Sequence, residues 1–321
     1  MSEPSTQWKE QVAADEEQRF KGYAELIKSI QAQGNQHYGK PERAVHRKTV
    51  LAMEGEVEVL DGLPAHARQG AFAKPGKYRA LIRLSNGSHL KQKDKVGDVR
   101  GFAFKMLGVE GPGALGGNTR SQDFALIHSE AFAFENADQF VQFVGAAMKG
   151  PLSIVGHMVK MHGLFGGLGK LKKLAGGLAG FTGFTTAPFY SAVPISCGPY
   201  AVKVRLSPAR TNVVPDAKND FAAEVKKQLE SGPLSWDLGL QFFADDQTTP
   251  IERPQIPWPT PYVTVGRLTV KPGGLNEKVD AEVEKEKFDP WNALVEHRPL
   301  GDVMRARKVA YYASQQGRGV A

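Results

Sequence analysis

The feature that most restricts this chain is a run of short β-rich segments that follow one another with few helical interruptions. Residues 49–60 (TVLAMEGEVEVL), 77–85 (KYRALIRLS), 101–107 (GFAFKML) and 122–127 (QDFALI) carry apolar alternation or β-rich content. Similar segments lie at 200–206, 238–244 and 262–269, and the approach to Cys197 supplies an eighth. Strands in this number, mostly without helices between them, favour an antiparallel barrel over a doubly wound sheet. Helical periodicity interrupts the run at 137–148 and 220–230, and brackets it at 15–33 and 302–314. The segment 150–183 is rich in Gly, Lys, Leu and Phe. It reads as an irregular lid or a mildly amphipathic, membrane-touching stretch, with a surface-packed excursion from the barrel as the weightier reading. The prolines at 254, 257, 259 and 261 form a stiff connector before the last strand.

Composition excludes several chemistries. With 321 residues the chain can bury a cofactor-sized cavity, and Cys197 is its single cysteine. A disulfide framework, a Cys-based zinc site and an iron–sulfur cluster are therefore ruled out within one chain. The formal charge of +7 is spread along the whole length, without a Lys/Arg block interleaved with aromatics, so a nucleic-acid partner is not expected. A basic surface equally suits propionates or a fatty-acid carboxylate. Residues 1–33 are polar and charged, without the apolar core of a secretory signal. No uninterrupted apolar stretch of about 18 residues occurs. The expected address is the cytoplasm.

The most specific chemistry lies near the C-terminus, where Arg307 and Tyr311 stand four positions apart and share one helix face. A free phenol has a pKa of about 10, and ligation to ferric iron needs the phenolate. A guanidinium one turn away stabilises that phenolate by charge and hydrogen bonding. Tyr312 lies about 100° further round the helix. Tyr311 is therefore the ligand candidate, and Tyr312 is assigned to packing.

Four segments in chain order give this pair a context. They are Arg43-Ala44-Val45-His46 leading into a strand; Ile82-Arg83-Leu84-Ser85 with Arg100-Gly101-Phe102-Ala103; Gly117-Asn118-Thr119 followed by 123–143; and Phe288-Asp289-Pro290 followed by 297–311. Together they resemble the catalase superfamily, across roughly 41–318, with 150–183 unmatched. The chain is similar to the small bacterial catalase-related proteins, which lack the long wrapping segments and the flavodoxin-like domain.

The resemblance implies an α+β fold: a catalase-type antiparallel eight-stranded β-barrel with flanking helices and a C-terminal haem-ligating helix. It implies an N-terminal helical arm (1–40) and a haem-binding domain (41–321) holding haem b with ferric iron. Tyr311 would be the metal ligand and Arg307 its partner. Arg43, Arg83 and Arg318 would reach the propionates, and Phe132 would pack on the haem face. His46 would move protons between the peroxide oxygens, Ser85 would fix its tautomer, and Asn118 would bond the peroxide. The implied activity is a haem peroxidase with weak catalase activity, taking a small peroxide and an organic reductant. Rival readings are a fatty-acid hydroperoxide isomerase or dehydratase resembling allene oxide synthases, a non-catalytic haem-binding protein, and a haem-free basic interaction module. Transient contact with lipid and a homo-oligomeric state complete the expectation.

Overall fold

The computed structural model describes residues 4–210, 214 and 217–321. Nine strands follow in chain order: β1 (Thr49–Val59), β2 (Gly76–Asn86), β3 (Arg100–Pro112), β4 (Asn118–Ile127), β5 (Phe189–Tyr190), β6 (Ile195–Cys197), β7 (Tyr200–Pro208), β8 (Leu234–Phe242) and β9 (Tyr262–Val270). The ladder runs β5-β4-β3-β2-β1-β9-β8-β7, and β5 pairs with β7 as well as β4, which closes an eight-stranded antiparallel barrel. The eighth stave is therefore β5. The segment before Cys197, expected in that place, forms β6 and adds to the edge of β7. A two-residue strand carries no period for sequence patterning to detect.

Alternation assigns the faces. Met53, Ile82, Leu84, Phe102, Phe104, Met106, Phe124 and Leu126 belong to one buried cluster that fills the barrel. Phe104 stacks on Phe124 at 4.8 Å between ring centroids. The intervening residues of β2, β3 and β4 (Arg83 and Ser85, Gly101, Ala103 and Lys105, Asp123, Ala125 and Ile127) therefore project from the outer face.

Six helices lie outside the barrel: α1 (Glu16–Tyr38), α2 (Ala137–Met148), α3 (Pro151–Ala179), α4 (Phe221–Glu230), α5 (Glu277–Lys285) and α6 (Asp302–Gln316). Side-chain caps start three of them: Asn136 on α2, Asp220 on α4 and Asn276 on α5. The sequence reading lacks α5, whose Val279 and Val283 cover Ala52 and Leu81 on the outside of β1 and β2. Residues 151–179 are helical on both sides of a break at Gly163 (φ 72°, ψ 169°), and this pair of helical stretches, carried as α3, takes the place of the irregular lid or surface-packed excursion that the sequence left open. The left-handed φ at the break is one that glycine adopts without strain.

α1 runs along α6, and their contact is polar as well as apolar. Arg305 of α6 bonds both Glu16 oxygens at 2.7 and 2.9 Å, and Gln31 donates to the Ser314 carbonyl at 2.9 Å. Asp302, at the start of α6, accepts from the Ala137 backbone N–H at 2.8 Å, which fixes α2 to the same end. These contacts fix α6 to α1 and to the start of α2.

Candidate active site

His46 lies just before β1, in a backbone conformation with φ 50° that non-glycine residues seldom adopt. Neighbours on both sides hold it there. Its N–H donates to the Gly87 carbonyl at 2.9 Å, and its own carbonyl accepts from Arg83 Nη2 at 2.7 Å. The next residue, Arg47, is buried against α1, bonding the Gln31 carbonyl at 3.2 Å and Asn35 Oδ1 at 3.3 Å. Arg47, which from sequence alone belongs to a basic surface patch, thus pins the histidine loop to the helix layer.

His46 Nδ1 stands 3.0 Å from Ser85 Oγ. With Nδ1 protonated and donating to the serine, Nε2 is left as the free base. Burial pushes the imidazole pKa down to about 3, and repulsion from Arg83, Arg307 and Arg43 adds to the shift. The ring is therefore neutral at ordinary pH. It keeps some accessible surface, so the ring is half-buried rather than sealed in the core.

Gly101 backs this pair. A Cβ there would lie 2.7 Å from both His46 Nδ1 and Ser85 Oγ, so only glycine leaves them room. The register continues along the outer face, with Arg83 opposite Ala103 and Ala103 opposite Ala125, while α5 covers Ala52 on the far side of Arg83. Two alanines and a glycine make a shelf of small side chains beside the histidine.

Three arginines converge on the rim. Arg43 Nη2 donates to the Glu286 carbonyl at 2.8 Å, and Arg318 Nη2 to the Glu284 carbonyl at 2.7 Å. Arg83 Nε donates to Thr49 Oγ1 at 3.1 Å. Burial, then repulsion from Arg83 and Arg318, pushes Arg43 down to about 8. Burial likewise lowers Arg83 to about 10, with Glu284 opposing and Arg318 assisting. Arg318 is lowered by burial, against the pull of Glu284. Glu284 is the one carboxylate that recurs beside all three, so the rim carries excess buried positive charge.

Across from it, Arg307 Nη2 donates to the Tyr311 hydroxyl at 2.7 Å, as the four-residue spacing requires. The Tyr311 oxygen acts electrostatically on both Arg43 and Arg83, which places the phenol at the same cleft. Tyr312 points away but is 55% exposed, so it faces solvent and its assignment to packing is corrected.

One sequence candidate stands apart from this cluster. Asn118 opens β4 opposite Pro112, nine residues from Ile127, which faces Gly101. At the ~3.3 Å rise of a strand this is about 30 Å of chain. The β3–β4 hairpin is longer than the apolar pattern indicates, and it carries Asn118 to an exposed tip. Phe132 packs with Phe134 and Phe140 at 5.7 and 5.4 Å, in an aromatic group that braces the start of α2. Its backbone N–H is held by the Pro254 carbonyl at 3.0 Å.

Sequence reasoning missed a second buried group. Lys105 Nζ bonds both Asp123 oxygens at 2.7 and 2.9 Å on the outer face of β3 and β4. Asp123 also accepts from the Asp289 backbone N–H and from Asn292 Nδ2, each at 2.9 Å. Gln315 of α6 donates to Asp289 Oδ2 at 2.6 Å. This network ties the segment before α6 to the barrel wall. Its sequence signal is a charged residue of opposite sign at outer-face parity within the apolar stretch of each strand, Lys105 in 101–107 and Asp123 in 122–127.

A closed antiparallel barrel whose outer wall and C-terminal helix enclose an arginine-rimmed cleft defines the architectural class. Within that class the fold is that of catalases, in a short form. A fungal catalase superposes with a TM-score of 0.70 at 18% identity, over 87% of this chain and 59% of that one. Catalase A from Saccharomyces cerevisiae gives 0.70 and 18% over 87% and 61%. A bacterial catalase gives 0.66 and 16% over 99% and 63%. The chain thus spans about three-fifths of the length of these proteins. No family model and no curated protein matches it by sequence.

The residues fit a haem. A porphyrin is flat and carries two carboxylates, and the cleft offers a small-residue shelf, three mutually repelling arginines and a hydrogen-bonded phenol. Among the described residues no cluster of three or more His, Cys, Asp or Glu side chains could hold a bare metal ion. A single phenolate ligand beneath a macrocycle does not require one.

Proposed function

We propose that this protein binds a b-type haem through Tyr311 and acts as a peroxidase with weak catalase activity. The observation that carries the reading is the convergence of His46, Ser85, Arg43, Arg83, Arg318, Arg307 and Tyr311 from three distant segments onto one outer face of the barrel. When bound, the ferric haem would supply the redox centre at which a peroxide is reduced.

The protein's own contributions follow from the geometry. Arg43, Arg83 and Arg318 would hold the propionates, and their mutual repulsion is relieved by two negative charges. Arg307 would hold the Tyr311 oxygen in place through its hydrogen bond. Neutral His46, held by Ser85, takes a proton at Nε2 from one peroxide oxygen and returns it to the oxygen that leaves. In balance, a hydroperoxide and a two-electron organic donor yield an alcohol, water and the oxidised donor. Assembly as a homo-oligomer belongs to the same reading.

The test is an absorption spectrum of the purified protein with added haemin, beside Tyr311→Phe, before and after hydrogen peroxide. A Soret band with a high-spin ferric, tyrosinate-type pattern that the variant loses or alters supports the ligand assignment. No Soret band after reconstitution sinks the haem reading. A normal band without peroxide-dependent turnover of an organic donor leaves a haem carrier. Turnover of a fatty-acid hydroperoxide in preference to hydrogen peroxide selects the isomerase or dehydratase reading.

A further inference from the structure

The helix α3 carries six large apolar side chains at the surface: Leu152, Val155, Met161, Leu164, Phe165 and Leu168. Leu152 is 88% and Phe165 87% exposed. Only Met158 and Gly167 of its 29 residues are buried. The helix therefore owes little of its stability to the barrel and presents an apolar surface of the kind that marks an interaction site.

The charge on this helix has one sign. From 139 to 215 the sequence has no Asp or Glu, while α3 holds Lys160, Lys170, Lys172 and Lys173. Lys170 reaches Glu135 at 3.8 Å. Lys160, Lys172 and Lys173 have no ionic partner within 4.0 Å among the described residues. A groove of about 840 Å³ between α1, α2 and the first turns of α3 adds Lys149, His157 and Lys160 to the same basic face. A second copy of the chain would fit poorly here, because a two-fold contact through α3 brings four lysines against four lysines with Glu135 the one acid paired to them. An anionic bilayer satisfies both features at once, taking Leu and Phe into the acyl boundary and lysines among the headgroups.

We infer that α3 is a membrane-surface anchor that docks the protein on anionic lipid. No helix in the described residues is long and apolar enough to cross a bilayer, so docking is parallel to the surface. The inference does not depend on the haem reading.

The experiment is co-sedimentation of the full chain with phosphatidylcholine vesicles, with and without phosphatidylglycerol. Leu152→Glu/Phe165→Glu and Lys172→Glu/Lys173→Glu variants are run alongside, and circular dichroism confirms that each folds. Wild type should bind only the phosphatidylglycerol vesicles and release in high salt. Each double variant should bind at least about tenfold more weakly, since each lysine near an anionic surface contributes appreciably. Equal sedimentation of wild type with and without anionic lipid overturns the proposal, as does unchanged binding by both folded variants. An oligomer that Leu152→Glu/Phe165→Glu dissociates, with no vesicle binding by wild type, would assign the face to a second copy instead.

Discussion

Arg307 and Tyr311 are joined by a 2.7 Å hydrogen bond across one turn of α6, with the guanidinium carbon 5.0 Å from the ring centroid. The donor is cationic and fixed before any ligand arrives, so little ordering remains to be done on binding. Replacing Arg307 with Leu removes a charge-assisted bond of about 1.5–3 kcal/mol. Haemin affinity should fall roughly ten- to a hundredfold by that measure, with Arg307→Lys recovering part of the loss. Haemin titration followed at the Soret band checks this. Equal affinity in Arg307→Leu would mean that the pair plays no part in holding the group.

Gly101 is a second point where one atom decides. Its missing Cβ would lie 2.7 Å from His46 Nδ1 and Ser85 Oγ, so Gly101→Ala must push the imidazole off the serine. Overpacking of this kind costs about 1–3 kcal/mol. Urea denaturation should show that loss, together with reduced peroxide turnover in the haemin-loaded protein. A change under about 0.5 kcal/mol would be no larger than an ordinary surface substitution and would contradict the tight packing.

Much of this cleft was legible in the sequence because its residues sit at fixed places in periodic elements. The Arg307–Tyr311 spacing is a helix property, and Arg83 and Ser85 share a strand face by parity. What the sequence concealed depends on pairing between distant segments. The length of the β3–β4 hairpin cannot be read from apolar alternation, and it is what carries Asn118 away from His46. Strand β5 is too short to show a period, yet it closes the barrel. Arg47 looks like any surface cation until α1 folds over it. The Lys105–Asp123 pair appears only once β3 and β4 are in register.

That pair supports a third prediction. Lys105→Met leaves Asp123 buried without its cation, a loss of about 3–5 kcal/mol. Adding Asp123→Asn removes the orphaned charge while keeping an acceptor for the Asp289 N–H, so the double variant should regain more than half of it. A double-mutant cycle in urea measures the coupling. Simple additivity of the two single losses would show that the ions stabilise independently of each other.

The last prediction concerns acid. His297 is fully buried, accepting from the Ala71 N–H at Nε2 (3.0 Å) and facing the Ser196 carbonyl at Nδ1 (3.3 Å). The bonds fix a neutral tautomer, and burial pushes its pKa down to about 4. His46 is lowered further, to about 3, from the ordinary imidazole value of 6.5. Both histidines bind a proton in the unfolded chain well before they do so in the folded one. Between pH 6.5 and 4 these two histidines hold more protons in the unfolded state, so their contribution to stability is lost as pH falls through that window, while Asp123, pushed up to about 6 by burial, opposes part of that loss. His297 alone accounts for on the order of 3 kcal/mol of the loss. Urea midpoints across this range should decline steeply, and His297→Gln should flatten the slope whatever its effect at neutral pH. A His297→Gln slope equal to that of wild type would show that His297 is not held neutral by its two bonds.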